Sequence, residues 1–398
     1  MKDEDIVMNL PQKLSKAAPA SMLNRIILAL VLLTAYGIFM YTDMTNTIDN
    51  SIVFIRAARH GQILQFYELS VQQAQTSYSA NYNLIIYVIF ALWLLPCYGI
   101  SKLLGKEFLT WPIGMLWAKT LVILVTLAIA YLIYKILSNC LKNEEENTFS
   151  YLAPLIFLSS MSVYYAVFIT AQLDCFAVFF MLIGLWGYLK NNRTLFYIGF
   201  LIAAPCKMFS LLITLPLILL RQKNILKAGC LWIFTACPLF VERILFHNSA
   251  VYKYALQAQG SAAVKQILES NVVIGRPIIL FVACYIVLIL FCFMTERKDN
   301  SLAIFICAFV YSTFCAFVSI NSYWIFLFIP FLTINMFVNS RYLGVNILLE
   351  TICSLCYVLG TALGGTWIFR DENLTSRLLL NYVIDPSTRD SLKYGTLY

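Results

Sequence analysis

Charge is what this sequence has least of. Of its 398 residues only 12% are Asp, Glu, Lys or Arg, against 61% hydrophobic. Soluble globules run nearer a quarter charged and half apolar, so that class is excluded. Histidine is almost missing: His60 and His247 stand alone with no partners at ligand spacing, so no metal site is assigned. No glycine-rich loop is built to cradle a phosphate, and there is no low-complexity run. The absence of an internal repeat argues against an inverted-repeat transporter, whose interrupted helices recur at matching positions. Cysteine is plentiful, at twelve, but scattered through apolar stretches without paired spacing. Those thiols read as small buried hydrophobes, not as disulfides or metal ligands. The net charge of +8 is spread along connecting loops and forms no nucleic-acid footprint. It fits the topology and contact with anionic lipid.

What is there instead is long apolar sequence. A span needs about 20 apolar residues. Clear candidates run near 23–42, 83–104, 113–138, 175–190, 228–246, 272–294, 301–320, 323–338 and 343–364. The stretches 149–173 and 194–220 each read as one long helix or two short ones. The expectation is an all-α polytopic membrane protein of roughly ten to twelve inserted helices. It divides into one integral membrane domain over 1–365 and a polar tail over 366–398. Lys13, Lys16 and Arg25 precede the first span, which carries no small-residue cleavage motif. This puts the N-terminus in the cytoplasm, together with Arg221, Lys223, Lys227, Arg297, Lys298 and Arg341. The loop 43–82, the loop 247–271, the Asn321-Ser322 turn and the tail then face outward. Strict alternation conflicts with an outward Asp174 unless 149–173 folds back as two short helices near Ser159-Ser160.

In the loop 43–82, Ile48, Ile52, Ile55 and Ala58 recur at helical spacing with Arg56, Arg59 and His60 opposite. This predicts an amphipathic interfacial helix about three turns long, closed by Gly61. A second, more polar segment follows, anchored by Phe66-Tyr67, and Tyr78, Tyr82 and Tyr87 lead into the next span.

Against this background a few ionisable residues at the ends of apolar spans stand out, because charge there is costly and usually kept for a task. Asp43 follows the first span, Asp174 follows Thr170-Ala171-Gln172-Leu173, and Lys207 lies between two short apolar stretches beside Pro205. The middle of every span reads as apolar. Sugar transfer from a lipid carrier needs a base for the acceptor hydroxyl and cations for the departing phosphate. Asp43 is the first choice for the base. Asp49 is its rival, although the dipole of the loop helix would explain an aspartate in a first turn. Gln172 and Asp174 suit acceptor hydroxyls or the positioning of Lys207; helix capping explains Asp174 equally well. Lys207 and Arg276 are phosphate candidates, with snorkelling the plain alternative for Lys207. Arg243 joins them unless it pairs locally beside Glu242, and Arg56 and Arg59 grip phosphate or anchor the helix to headgroups. Tyr323 and Trp324 suit stacking on a sugar, and also suit an interfacial belt.

These residues resemble the pattern of the GT-C superfamily of polytopic glycosyltransferases over about residues 25–340. The likeness is to bacterial cell-surface glycan enzymes and, more distantly, to GPI mannosyltransferases. It rests on Asp43-Met44-Thr45 through Asn50-Ser51-Ile52 to Gly61 and Phe66-Tyr67, and on Tyr82-Asn83 through Tyr87 to Phe90-Ala91-Leu92-Trp93-Leu94-Leu95-Pro96. Gln172-Leu173-Asp174, Lys207-Met208-Phe209 and Leu215-Pro216-Leu217 resemble the later Gln-x-Asp, lysine and Leu-Pro elements. Ala171 stands where glycine is common. The resemblance implies a bundle with two interfacial loop helices and an acidic base after the first span, Asp43 or Asp49 here. It also implies a polyprenyl-phosphate-linked sugar donor, used outside the cytoplasm with a glycan or lipid-linked acceptor in the cell envelope. Metal dependence varies in that superfamily and is not carried over, so no cofactor is assigned. The expected activity is an inverting transfer at the extracytoplasmic face of the cell membrane. The alternatives are a transporter or flippase of lipid-linked glycans and a non-catalytic subunit of a glycan assembly complex.

Overall fold

A computed structural model describes residues 22–39, 42–75, 79–140, 150–256, 262–274, 276–318 and 320–363. The basic N-terminal segment with Lys13 and Lys16, the acidic patch Glu144-Glu145-Glu146, Tyr78 and the tail 366–398 lie outside them.

The described residues are helical almost throughout. Helices α1 (Met22–Ile38), α2 (Thr42–Arg59) and α3 (Phe66–Gln73) lead to α4 (Leu84–Leu103) and the 29-residue α5 (Pro112–Cys140). Then come α6 (Leu152–Ser159) and α7 (Met161–Val163), which runs into a π-helical turn at Tyr164–Ile169. The central helices are α8 (Asp174–Leu189), α9 (Arg193–Cys206), α10 (Ser210–Arg221) and α11 (Ile225–Leu245). After α12 (Ala250–Leu256) and α13 (Ala262–Glu269) come β1 (Val272–Ile274) and β2 (Arg276–Ile278). The last helices are α14 (Leu280–Met294), α15 (Asn300–Phe317), α16 (Ile329–Val338) and α17 (Leu343–Leu363), with a 3-10 turn Ser322–Leu327 before α16. By length and composition α4, α5, α11 and α15 are able to cross a membrane, and α6 and α7 with the π-helical turn pass the same test together. Among the described residues six shorter apolar helices accompany them. Large hydrophobics such as Leu30, Leu92, Ile244, Val287 and Leu348 are exposed, as helices facing lipid require.

Several sequence expectations change here. The stretch 272–294 is not one helix: Val272–Ile278 pairs with itself as an antiparallel hairpin and the helix begins at Leu280. The stretch 194–220 is two helices, broken at Lys207. The loop helix is longer than expected and is not laid on a surface. Helix α2 starts at Thr42, and from Met44 to Ala57 nearly every side chain is buried or half-buried. Polar Thr47, Asp49, Asn50 and Ser51 are enclosed with Ile48, Ile52 and Ile55. Gly61 closes the helix as predicted: at φ 69° it lets Gln62 N–H donate to Ala57 O and Gly61 N–H to Ala58 O.

The segment around Ser160 bends by 56°, where the serine pair suggested. Lys119, early in α5, contacts Phe168 O, while the far ends of α5 and α6 are joined by only the nine residues 141–149. So α5 leads away from this end over about 32 Å, and α6 with the π turn leads back over about 25 Å. By length and composition the bent segment is either one broken span or a re-entrant loop. Buried Glu350 of α17 holds the bend, accepting from Ser160 Oγ at 2.6 Å and Ser354 Oγ at 2.7 Å. Lys119 and Glu350 are buried ionisable groups inside helices that the sequence reads as apolar spans.

Helices α8 and α9 pack at a glycine seam. A Cβ on Gly199 would stand 2.5 Å from Gly184 N, and one on Gly187 2.5 Å from Phe196 N. At the far end of α8, Arg221 donates to Tyr188 O at 2.6 Å, and Lys223 donates to Cys292 O and Thr295 O, both at 2.7 Å. These two of the expected inner-side cations thus satisfy the open carbonyls of helix C-termini, where positive charge is favoured. The other end of α8 carries the candidate site.

Candidate functional site

Two backbone breaks build the site. Before α8 the chain leaves the π turn, and Gln172 N–H donates to Ala166 O at 2.8 Å. That turn needs a left-handed residue: Ala171 has φ 48°, a conformation that favours glycine. After α9, Pro205 sits in the last turn, and Lys207 takes an extended backbone at φ −156°, ψ 116° before α10 starts at Ser210. The two breaks face each other, and the Lys207 ammonium meets the Asp174 carboxylate at 2.7 Å. Asp174 is 5% exposed and Lys207 19%, so the pair is nearly enclosed but open on the lysine side.

Aromatic rings roof the pair. Lys207 Nζ lies 4.6 Å from the Trp324 ring centroid and 5.8 Å from that of Phe209, and those rings meet edge-on at 5.0 Å. Around the pair are buried polar atoms with no hydrogen-bond partner among the described residues: Gln172 Nε2, Asp174 Oδ2, Ser210 Oγ and Trp324 Nε1. Buried polar groups are normally satisfied, and each orphan costs about 1–3 kcal/mol. An ammonium offers three donors, and Asp174 takes one. The site therefore holds unused donors on Lys207, Gln172 and Trp324 beside an unused carboxylate acceptor. That inventory suits a ligand carrying hydroxyls and an anionic group.

Gln172, Asp174, Lys207 and Trp324 of the residues expected from sequence thus come together. Tyr323 is buried next to Trp324, and Asn321 Nδ2 donates to its hydroxyl at 3.2 Å. Asp43 lies in the first turn of α2; its side chain is outside the described residues. Asp49 is in the third turn instead of the first, so the helix dipole does not account for it. It is 2% exposed and lines a separate cavity with Arg56, whose walls include none of Gln172, Asp174 or Lys207. Arg59 is exposed at the end of α2. Arg276 falls on the hairpin and not inside a helical span, opposite Ile274 in register, and its side chain is outside the described residues. Arg243 is exposed and does not pair with Glu242. Glu242 is buried and accepts from Tyr67 Oη at 2.9 Å and from Leu84 N–H at 2.7 Å. Burial, then the Glu242 charge, pushes the Tyr67 phenol well above its ordinary value, so it stays a donor. Among the described residues no group of three His, Cys, Asp or Glu is placed to hold a metal ion.

Lys119 is the residue that sequence reasoning passed over. Fully buried, its Nζ donates to Ala35 O and Tyr36 O at 3.1 Å, Phe39 O at 2.6 Å and Phe168 O at 2.8 Å. It closes the C-terminus of α1 just before Asp43 and ties it to the strand of backbone that leads to Gln172 and Asp174. A lone cation within an apolar helix was the available signal.

No family model matches the chain, and no curated protein or solved structure does so either.

Proposed function

We propose that the chain is a membrane glycosyltransferase of the GT-C type, transferring a sugar from a polyprenyl-phosphate-linked donor to a cell-envelope glycan or lipid-linked acceptor at the extracytoplasmic face. The observation that carries this reading is the nearly enclosed Asp174–Lys207 pair ringed by unpartnered polar atoms. The resemblance of Gln172-Leu173-Asp174 and Lys207 to the superfamily pattern supports it, as do the apolar helices that suit a membrane protein.

In this reading the lysine side of the pair faces the departing phosphate. The ammonium's spare donors neutralise the charge that develops there as the glycosidic C–O bond breaks. Asp174 Oδ2 and Gln172 Nε2 hold sugar or acceptor hydroxyls, and the Trp324 indole adds a donor and a ring face. Asp43 takes the proton from the attacking hydroxyl, since Asp49 lines a cavity separate from the Asp174–Lys207 pair, and attack from the opposite side of the anomeric carbon inverts it. Arg276, on the hairpin, joins Lys207 at the phosphate, and Arg56, Arg59 and Arg243 steer the anionic donor. The transporter reading draws on the buried ionisable groups Lys119 and Glu350, but both are engaged by partners within the chain.

The test is transfer by purified, reconstituted protein supplied with a panel of polyprenyl-phosphate sugars and envelope acceptors. Labelled product without transmembrane movement of the donor supports the enzyme over the flippase, and activity in isolation excludes a non-catalytic subunit. Substitution of the base lowers turnover by roughly 10²–10⁴. Full activity in Asp43→Asn would remove the base assignment.

A further inference from the structure

We propose that Asn83 is a positioning residue for the Asp174–Lys207 pair: it pins the end of α9 so that the ammonium meets the carboxylate. The inference rests on that pair being the working site, as in the transfer reading, and is indifferent to which sugar or acceptor is used.

Asn83 is the residue before α4 and has the extended backbone of an N-cap, with φ −64° and ψ 152°. Asparagine is among the strongest residues there, because its side-chain oxygen accepts from backbone N–H groups of the first turn. Asn83 makes no such bond. The acceptor comes from elsewhere in the chain: Glu242, near the end of α11, takes Leu84 N–H at 2.7 Å. A carboxylate at a helix N-terminus is favoured by the helix dipole as well. Glu242 is 6% exposed and is held by the Tyr67 hydroxyl of α3 at 2.9 Å. The Asn83 amide is thereby released to reach across to α9, where Nδ2 donates to Pro205 O at 2.8 Å.

That carbonyl needs a donor. In a continuous helix it would accept from residue 209, but α9 ends at Cys206 and Lys207 is extended. Pro205 O is therefore one of the open carbonyls of a helix end. Proline weakens the same turn further, since it has no N–H to give to Leu201 O. The glycine seam does not reach this far: Lys207 lies roughly 12 Å along the chain beyond Gly199. Between the held carbonyl and Lys207 stands only Cys206. The Asp174 side of the pair is set separately, by the left-handed turn at Ala171. The Asn83 bond is thus what fixes the lysine side of the break against the aspartate side.

The test is the rate at which an amine-acylating reagent modifies Lys207 in the full chain in detergent. Mass spectrometry reads it, with Lys190 at the far end of α8 as the internal reference. Serine caps a helix as well as asparagine does, but its hydroxyl is too short to reach Pro205 O. Asn83→Ser is expected to melt close to wild type while Lys207 reacts roughly fivefold faster, the factor that one neutral hydrogen bond supplies. Lys190 should not change. In Asp174→Asn, where the pair is already broken, Asn83→Ser should add little. Unchanged Lys207 reactivity in Asn83→Ser overturns the proposal. So does an acceleration shared by Lys190, or one equally large with and without Asp174. Asn83→Asp keeps a capping oxygen and loses the amide donor, and it answers the same question should Asn83→Ser fail to fold. Failure of the transfer reading looks different: wild-type protein inactive with every donor while the Lys207 rates respond as expected.

Discussion

Replacing Lys119 with methionine removes the ammonium while keeping an unbranched side chain of similar length. Four backbone carbonyls then lose their donor: Ala35, Tyr36 and Phe39 at the end of α1, and Phe168 at the end of the π turn. Three charge-assisted N–H bonds at about 1.5–3 kcal/mol each favour the native lysine. Desolvating the ammonium costs several kcal/mol, which the methionine variant recovers. The net loss is about 2–4 kcal/mol. It should be local first, because α1 has Ala35 as its one fully buried residue and is otherwise largely exposed. Hydrogen exchange on protein in detergent reads this out: amides near 35–39 and 165–172 should lose protection before those of α8 and α9. Lys119→Arg should not restore it, since a planar guanidinium does not converge on the four carbonyls as a compact ammonium does. A methionine variant with wild-type exchange in both segments, and a melting temperature shifted by no more than the measurement error, would refute the argument that this ammonium joins them.

Three further outcomes follow from the same geometry. Lys207→Gln should strand the Asp174 carboxylate, costing about 3–5 kcal/mol, while Asp174→Asn with Lys207→Gln should regain much of that; additive losses in a double-mutant cycle of melting would show the pair to be uncoupled. Ala171→Gly should fall within about 1 kcal/mol of wild type, whereas Ala171→Val, which brings a branched Cβ to φ 48°, should cost clearly more; equal stability of the two would refute the left-handed turn. Asp299 caps α15 by accepting from Leu302 N–H, and the Arg297 hydrogen bond holds its carboxyl below the ordinary value. A depressed folded value means that this stability is present above the unfolded pKa and disappears as pH falls through the folded one, so Asp299→Ala should cost up to about 1 kcal/mol at neutral pH and nothing in strong acid. A pH-independent cost would contradict the sign.

The residues legible in the sequence were those whose surroundings made charge conspicuous. Lys207 interrupts a run otherwise too apolar to hold it, and Asp174 opens a helix after a Gln-x-Asp pattern, so both could be found without coordinates. Lys119 and Glu350 were passed over for the opposite reason. Each is one ionisable group in a long apolar helix, and its partners are carbonyls or serine hydroxyls, which leave no complementary charge in the sequence. The character of α2 was misread because its polar residues suggested a surface. Its Ser51 and Asn50 in fact bond back to Thr47 O and Asn46 O, which allows them to be enclosed. The hairpin at Val272–Ile278 was hidden inside a continuous apolar run, where β-branched residues serve a strand as readily as a helix.

The glycine seam between α8 and α9 has a mechanical consequence. Asp174 begins one of these helices and Lys207 follows the other, so both ends of the ion pair are bolted to one stiff bracket. With backbone against backbone at Gly184 and Gly199, that bracket has no slack for sliding. A guest molecule therefore meets a charge pair of fixed spacing, while the turn that bears Trp324 belongs to neither helix and closes the site from a third side.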